Sequence, residues 1–261
     1  MQTLYVVKIG GNIIDDAQKL KAFLDVFATI KEPKILVHGG GKLATAMAAQ
    51  LGIEQQLVDG RRITDAETLK VVTMVYAGYI NKNIVAHLQA NGADALGISG
   101  ADGNIIKAHK RANANIDYGF VGDVDSINEK RLHLLLQQGI TPVVCPITHD
   151  GNGQLLNTNA DTIAQEIAKA LSNDYSVQLI YSFEKSGVLL NADDESTVIK
   201  SINPVYYQQL KSEGKIFAGM IPKLDNAFAA LQHGVQKVII GRAESLQHLI
   251  DNRSGTTIVN E

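Results

Sequence analysis

The chain has 261 residues, enough for one large domain or two smaller ones. Of these residues 45% are hydrophobic and 20% are charged. This balance is typical of globular proteins, and the formal net charge of −3 offers no basic surplus for nucleic acid or an anionic membrane. A strand pattern starts within the first few residues, and no apolar run approaches the ~20 residues of a membrane span. The single cysteine, Cys145, stands in an apolar run, so we expect its thiol to be buried. Because one cysteine cannot form an internal disulfide, we expect a soluble, cytoplasmic protein.

Short apolar runs rich in β-branched residues alternate with longer helical patterns along most of the chain. The predicted strands are Leu4–Val7, Lys34–Val37, Ala95–Ile98, Thr141–Cys145, Gln178–Ser182 and Lys237–Ile240. The predicted helices are Asp16–Thr29, Lys42–Leu51, Ala66–Ala90, Glu129–Gln138, Ala160–Leu171, Pro204–Ser212 and Leu224–His233. Strands that alternate with helices predict an α/β fold, an open and mainly parallel sheet covered by helices on both faces.

One segment departs from this alternation. Asn104–His109 and Tyr118–Val124 have the pattern of short strands around the polar stretch Lys110–Asp117, which predicts a hairpin-like insertion. A domain boundary is predicted after Leu171, where a polar cluster begins. Residues 1–171 and 172–261 are therefore expected to form two lobes.

Two glycine-rich corners each follow a predicted strand and precede a helical pattern. The first contains Lys8, Gly10 and Gly11, and the second is the run His38–Gly41. Glycines at such corners let backbone N–H groups approach an anion near the positive end of a helix dipole. A tight turn would explain either corner alone, but the pair, with a lysine at the end of one strand, favours a phosphate or carboxylate site.

Neither of two other phosphate-binding patterns is favoured at these corners. Gly39, Gly41 and Ala44 satisfy the loose dinucleotide fingerprint, which is weak alone, and here the first strand carries the other corner. The Walker A pattern occurs nowhere in the sequence. The seven histidines show no ligand spacing such as H-x3-H, so no protein-built metal site is predicted.

Three further polar features, one segment and two single residues, can be explained either by a structural role or by a functional one. Asn157–Asp161 opens a helix, where Thr158 or Asn159 can serve as N-cap, yet Asn157 could also bind a carboxylate or amide. Lys223 near a helix start opposes the helix dipole unless an anionic ligand is present, although it could be a solvated lysine. Arg62 could grip a carboxylate through paired N–H donors, although surface arginines are common.

Taken in order, these residues resemble the amino acid kinase family, and the resemblance runs from Lys8 to the end of the chain. Each motif is modest alone, whereas six in this order are specific. They are Lys8-x-Gly10-Gly11, His38-Gly39-Gly40-Gly41, Gly60-x-Arg62-x-Thr64, Asn157-x-Asn159-Ala160-Asp161, Ser186-Gly187-Val188 and Gly219-Met220-x-x-Lys223.

The resemblance implies a kinase of two lobes. Residues 1–171 would bind an acylated glutamate and dimerise, and residues 172–261 would bind ATP, with Mg²⁺ carried by the nucleotide. The implied reaction is phosphorylation of the γ-carboxylate of N-acetyl-L-glutamate, a step of arginine biosynthesis. N-succinylglutamate or another acyl amino acid is the alternative substrate, and a phosphate-ligand sensor without catalysis is the alternative from another class.

The resemblance also assigns roles to single residues. Lys8 and Lys223, one from each lobe, would contact the transferring phosphoryl group, with Asp161 orienting both. Backbone N–H groups of Gly11 and Gly41 would assist. The acylglutamate would be held by Gly40, Gly41, Arg62 and Asn157, with Arg62 on its α-carboxylate. The nucleotide pocket would be lined by Glu184, Lys185, Ser186, Gly187, Val188, Leu189, Lys215, Ile216 and Phe217.

Two positions depart from the family pattern, both on the nucleotide side. Glu184 opens a loop in which the family usually has aspartate, and Ala218 replaces an acidic residue before Gly219. The N-terminal extension that arginine-inhibited relatives use to form hexamers does not precede Lys8. An arginine-insensitive homodimer is therefore expected, with no nucleic-acid or membrane partner.

Overall fold

The computed structural model of the chain describes residues 1–58, 61–112, 115–216 and 220–260. It divides into two compact units, unit 1 with residues 1–35 and 164–261, and unit 2 with residues 36–163. The first strand belongs with the C-terminal part because it pairs in parallel with Ser176–Ser182 along its whole length. The predicted lobes had placed that strand with the middle of the chain, and the ligand and dimerisation roles of those lobes stay predictions.

The observed elements follow the predicted alternation closely. The strands are β1 (Thr3–Ile9), β2 (Lys34–His38), β3 (Leu57–Val58), β4 (Arg61–Arg62), β5 (Ala95–Ile98), β6 (Ile106–Lys110), β7 (Val121–Ile127), β8 (Thr141–Val144), β9 (Ile147–His149), β10 (Leu155–Thr158), β11 (Ser176–Phe183), β12 (Ser201–Ile202), β13 (Lys237–Arg242) and β14 (Thr256–Ile258). The helices are α1 (Gly11–Ile14), α2 (Ala17–Thr29), α3 (Gly41–Gln50), α4 (Ala66–Thr73), a π-helix (Met74–Ile80), α5 (Asn81–Ala90), α6 (Glu129–Gln137), α7 (Ala160–Leu171), α8 (Pro204–Ser212), α9 (Ile221–Gln232) and α10 (Leu246–Ile250). Single 3₁₀ turns cover Asp102–Asn104, Glu195–Thr197 and Ala243–Ser245.

Unit 1 is organised by strands in the order β12-β14-β13-β11-β1. β1, β11 and β13 run parallel, whereas β14 is antiparallel to β13. The central strands are almost continuously apolar and buried, the pattern of a parallel sheet covered on both faces. Helix α2 buries Phe23, Leu24 and Phe27, and Asp16 caps its N-terminus by accepting from two backbone N–H groups.

Unit 2 contains the parallel strands β2, β8 and β5, in that order. A second, small sheet of β10, β7, β6 and β9 closes on itself as a barrel. The predicted hairpin-like insertion is confirmed, because β6 and β7 pair in antiparallel fashion. Compared with the prediction, β6 begins two residues later and ends one residue later, and β7 begins and ends three residues later. With both units built from parallel strands and helices, the predicted α/β class and mainly parallel pairing are confirmed.

The predicted helix Ala66–Ala90 is present over that whole range, but its middle has another geometry. Met74–Ile80 forms a π-helix between α4 and α5. Periodicity missed this segment because a π-helix shifts the apolar face by one residue without leaving the helical pattern. The wider turn changes which side chains α5 presents to the interior.

Two predictions about the interior and the membrane can be compared directly with the structure. Cys145 is fully buried, and burial raises the pKa of its thiol to about 12, so the expected core thiol is confirmed. Over the described ranges, no helix combines the length and the apolar character that crossing a bilayer needs.

Candidate active site

In both units several predicted site residues follow the carboxyl ends of parallel strands, whereas Arg62 lies on β4 and Asn157 within β10. β1 ends at Lys8 and Ile9, and Gly11 begins the next helix. β11 leads into the loop 184–189, and β2 leads into the run His38–Gly41. Ligands of open α/β sheets bind at this edge, because the loops there are not needed to form the sheet.

A cavity of about 390 Å³ lies in unit 2 beside the second glycine corner. Its walls are formed by Gly39, Gly40, Gly41, Lys42, Thr45, Leu57, Arg62, Tyr76, Arg111, Val121, Pro146, Asn157, Thr158, Asn159 and Ala160. All four residues predicted to hold the acylglutamate are among them, although they come from three separate segments of the chain. The structure therefore brings this predicted group together.

Residue 40 has to be a glycine, because of its backbone conformation and because no space is left for a side chain. Its φ of +146° lies where side-chain-bearing residues are strained, and a Cβ there would lie 2.2 Å from Cδ1 of Ile80. The ring of Tyr76 would be 3.3 Å away. The backbone of the corner is thus pressed against the π-helix on one side and faces the cavity on the other.

The Arg62 guanidinium is tied to the same corner. Its Nη2 donates to the carbonyl oxygen of Gly41 at 2.9 Å and to Oγ1 of Thr45 at 2.8 Å, and its Nη1 donates to Gln55. Burial raises the pKa of the Tyr76 hydroxyl, and the positive charge of Arg62 opposes that rise. Arg62 thus places a permanent cation in the cavity wall in a fixed orientation.

Asn157 enters the cavity from β10 and is held by Thr64. Its Nδ2 donates to Oγ1 of Thr64 at 3.0 Å. Thr64 is fully buried, and its backbone pairs with Tyr118 and Phe120 in the insertion. The Thr64 of the predicted motif therefore has an anchoring role, joining the segment of Arg62 to the strand that carries Asn157. Gly60 of that motif lies outside the described residues.

Arg111 is a cavity residue that the sequence interpretation missed. It lies in the polar stretch that was assigned only to the insertion, and its guanidinium donates to both carboxylate oxygens of Asp123. That pairing raises the pKa of Arg111 further and neutralises its charge locally. Nothing in the spacing of the sequence marks Arg111, because the antiparallel pairing of β6 with β7 creates the contact with Asp123.

Asp161 lies in the first turn of α7, as predicted. Oδ1 of Asn159 accepts from the backbone N–H groups of Asp161 at 2.8 Å and of Thr162 at 3.1 Å, so Asn159 is the N-cap. Of the two candidates for that cap, the structure selects Asn159. Asp161 is a residue of unit 2, close in sequence to the cavity residues Asn159 and Ala160.

The two predicted catalytic lysines both lie in unit 1, whereas we expected one in each lobe. Lys8 is half-buried near the end of β1, and a Cβ added to Gly10 would lie 3.8 Å from its Nζ. Lys223 is half-buried in the first turn of α9. A cation beside a glycine turn and another at a helix start are features of an anion site, and the roles of both lysines stay predictions.

The predicted nucleotide loop 184–189 is fixed by a carboxylate from outside the predicted set. Glu195 accepts hydrogen bonds from the backbone N–H of Ser186 at 3.0 Å and from its hydroxyl group. It also pairs with Nη2 of Arg242 at 2.9 Å and with Nζ of Lys185 at 3.7 Å. The Ser186 hydrogen bond, aided by these cations, lowers the pKa of Glu195.

The other end of the loop is held in the interior. The N–H of Val188 donates to Oγ1 of Thr256 at 2.8 Å, and a Cβ on Gly187 would lie 2.7 Å from the same oxygen. Lys215, farther along the chain, forms a surface pair with Glu213. The predicted residue Phe217 and the departure at Ala218 lie outside the described residues.

Comparison with known proteins adds the family context. Residues 3–242 match the profile of the Amino acid kinase family. The acetylglutamate kinase of Cytophaga hutchinsonii is 59% identical over 262 residues, covering 99% of each chain, and that of Phocaeicola vulgatus is 52% identical over 98% of each. Among solved structures, smu.665 from Streptococcus mutans superposes with a TM-score of 0.78 at 26% identity over 99% of each chain.

Proposed function

The chain belongs to the amino acid kinase family, and we propose that it phosphorylates the γ-carboxylate of N-acetyl-L-glutamate with ATP, giving N-acetylglutamyl 5-phosphate in arginine biosynthesis. The main support is that this chain is 59% and 52% identical, over nearly its full length, to two acetylglutamate kinases. The cavity of unit 2 supports it independently, because a permanent cation, an amide and a glycine backbone line it together.

On the substrate side, Arg62 binds the α-carboxylate, since a guanidinium offers a planar fork of N–H donors. Asn157, already bonded to Thr64, presents its amide to the same cavity. The backbone N–H groups of Gly40 and Gly41 are directed to the acyl amino acid. A cavity of about 390 Å³ is of the size that small ligands occupy.

The chemical step needs charge neutralisation more than a base. A carboxylate is already ionised at pH 7, so one of its oxygens forms a bond to the γ-phosphorus while the bond to the bridging oxygen of ADP breaks. Both reactants are anionic, and their approach is opposed by repulsion. Lys8 and Lys223, with the N–H groups of Gly11 and Gly41, stabilise the charge on the transferring group, and Asp161 orients the lysines.

ATP is the co-substrate, and we assign its binding to the loops that follow the carboxyl ends of the strands in unit 1. The loop 184–189, with Lys185, Ser186 and Gly187, receives the nucleotide together with Lys215 and its neighbours. The lysines and glycines that follow β1 suit its phosphates. Mg²⁺ accompanies ATP, held mainly by phosphate oxygens and water.

A hydroxamate assay tests this function. Purified protein is incubated with ATP, Mg²⁺ and hydroxylamine, and with N-acetylglutamate, N-succinylglutamate or free glutamate as the acceptor. N-Acetylglutamate is expected to give the acyl hydroxamate fastest, with equimolar ADP. Preference for the succinyl compound would change only the substrate. Binding of an acceptor without product would instead identify a sensor, and the kinase proposal would fail.

A homodimer in the cytoplasm completes the proposal. The molar mass in solution, measured by light scattering with size-exclusion chromatography, is expected to be twice the 28.1 kDa of one chain. A monomer with full activity would remove the dimer from the proposal and leave the chemistry intact.

A further inference from the structure

Two buried, uncharged side chains, His38 and Asn81, meet at the start of the second glycine corner. His38 is fully buried at the end of β2, and its Nδ1 is 2.8 Å from the carbonyl oxygen of Gly39. Its Nε2 is 3.1 Å from Nδ2 of Asn81, which also donates to the carbonyl oxygen of Val143 at 2.9 Å. The reaction described above assigns no role to His38 or Asn81.

The partners of Asn81 decide which imidazole nitrogen carries the proton. Nζ of Lys82, which can only donate, lies 3.1 Å from one end of the Asn81 amide, so that end is the oxygen. The other end is the NH₂ group that faces His38. Nε2 of His38 therefore accepts, and Nδ1 carries the hydrogen and donates to Gly39.

This hydrogen bond fixes the direction of one peptide group. The peptide between Gly39 and Gly40 is trans and planar, so its C=O and N–H point in opposite directions. With the Gly39 carbonyl held by His38, the N–H of Gly40 points away from the imidazole ring. A glycine pair has no side chain to restrain this peptide, so the restraint has to come from a neighbour.

The π-helix explains how Asn81 reaches His38. Ile80 and Tyr76 of that helix pack against Gly40, and Asn81 is the residue immediately after it. The space for the Asn81 amide exists because residue 97 is glycine, where a Cβ would lie 2.0 Å from Oδ1 of Asn81. π-Helical segments are rare and occur frequently at functional sites. Here the segment supplies the packing contact of the corner, and Asn81, the first residue after it, supplies the polar contact.

We propose that His38 and Asn81 are positioning residues of the phosphoryl transfer, which hold the Gly39 peptide so that the N–H of Gly40 faces the acyl amino acid. The inference rests on the proposed function and adds two residues to it. Neither side chain touches a reactant; both act through the backbone of the corner.

Two substitutions of His38 separate the two ring nitrogens. In His38→Asn, the side-chain NH₂ lies where Nδ1 was and keeps the donor to Gly39. In His38→Gln, the amide extends to the place of Nε2, and the donor to Gly39 is lost. The expected kcat/KM for N-acetylglutamate falls ~10²-fold in H38Q, the cost of one misplaced backbone donor, but less than ~10-fold in H38N. The KM for ATP stays within about twofold of wild type in both.

The matched control is the exposed His87 on α5, the helix that begins with Asn81. His87→Gln and His87→Asn are expected to leave both kinetic constants unchanged. Melting temperatures separate folding from positioning, since a merely structural role would lower activity in proportion to stability in both His38 variants. Equal activity losses in H38N and H38Q, or an unaffected H38Q, would overturn the inference.

A readout without activity keeps this test distinct from that of the proposed function. The ¹⁵N spectrum of His38 at pH 7 is expected to show a neutral ring with its proton on Nδ1, and Asn81→Leu to alter the Nε2 signal. If the proton is on Nε2 in the wild type, the hydrogen bonds assigned to His38 and Asn81 are wrong. If the wild type has this tautomer but makes no acyl phosphate, the proposed function is wrong, whereas the hydrogen bonds assigned to His38 are correct.

Discussion

The second glycine corner and the nucleotide loop are held in place by opposite kinds of contact. The corner His38–Gly41 rests on a fully buried imidazole that makes uncharged hydrogen bonds. The loop 184–189 is fixed by Glu195, whose side chain is 40% exposed and bonded to Ser186 and to two cations. Salt and water weaken exposed ion pairs, whereas a buried network keeps one geometry.

The difference follows from what each segment has to do. Backbone N–H groups aimed at a reacting carboxylate are effective only when they are fixed beforehand. A loop that admits a charged nucleotide gains from contacts that can be exchanged at little cost. Substitutions at the corner should therefore lower activity more than substitutions around the loop.

Gly40→Ala should be the most damaging single change. The strained φ and the contact with Ile80 together cost about 2–4 kcal/mol of folding stability, and the displaced corner lowers activity ~10²-fold or more. Urea unfolding and the hydroxamate assay measure both effects. Gly78→Ala, on the π-helix with open space around it, is the control. Should G40A be insoluble, the double variant with Ile80→Val, which removes the clashing Cδ1 at little cost of its own, should recover part of the stability. Full stability and activity in G40A would refute the fixed corner.

Lys8→Ala and Lys223→Ala should each lower kcat ~10²-fold or more while the protein stays folded, because each removes a positive charge from the transferring phosphoryl group. Steady-state kinetics with both substrates measures this change. Lys21→Ala removes an exposed lysine paired with Asp25 and serves as the control. Near-normal turnover in either variant would remove that lysine from the proposed mechanism.

The corner should also give the protein a characteristic loss of stability in mild acid. Burial lowers the pKa of His38 to about 4, below its ordinary 6.5, so the unfolded chain takes up a proton that the folded protein excludes. The resulting stability is present above pH 6.5 and is lost as pH falls toward 4, at roughly 1.4 kcal/mol per pH unit. Lys82 faces this group and disfavours its protonation.

Urea unfolding of the wild type and of His38→Asn at pH 7 and pH 5 measures this contribution, since other groups affect both proteins alike. The wild type should lose about 2 kcal/mol more than H38N between the two pH values. Equal losses would show that His38 titrates as an exposed histidine does.

Arg62→Lys should raise the KM for the acyl amino acid ~10-fold with a smaller effect on kcat. An ammonium group cannot reproduce the fork of donors, and one charge-assisted hydrogen bond accounts for about this factor. Measuring KM for each substrate in turn checks the assignment, with the KM for ATP as internal control. An unchanged KM for N-acetylglutamate would argue against Arg62 as the carboxylate ligand.

Glu195→Gln should have the smallest effect, a rise of about threefold in the KM for ATP that shrinks at high salt, because exposed pairs contribute little. Asp251→Asn, which removes another exposed carboxylate of unit 1 paired with Arg253, should leave that KM unchanged. A large loss of kcat in E195Q would mean that the loop is as rigidly required as the corner.

Much of the fold could be predicted from local patterns. The predicted helices Ala160–Leu171 and Pro204–Ser212 have the observed bounds. Their ends are locally encoded, since Asn159 and Asn203 cap them and Pro204 suits a first turn. Short apolar runs predict the six long strands of the sheet, four of them one to three residues too short, one exact and one a residue too long. The short strands β3, β4, β9, β10, β12 and β14 have no such run and were not predicted. The four predicted acylglutamate residues share one cavity, although only Gly40 and Gly41 follow the end of a parallel strand, and Arg62 and Asn157 lie on strands themselves.

The sequence by itself determined the alternation of strands and helices, the glycine corners and the residues that resemble the family, since these depend on neighbours along the chain. Only the tertiary structure decided that β1 joins the C-terminal unit, that Arg111 enters the cavity, and that His38 meets Asn81 across 43 positions. Contacts of this kind carry no spacing signal. They form when separate segments pack together, and burial then leaves each polar group the partners that the structure provides.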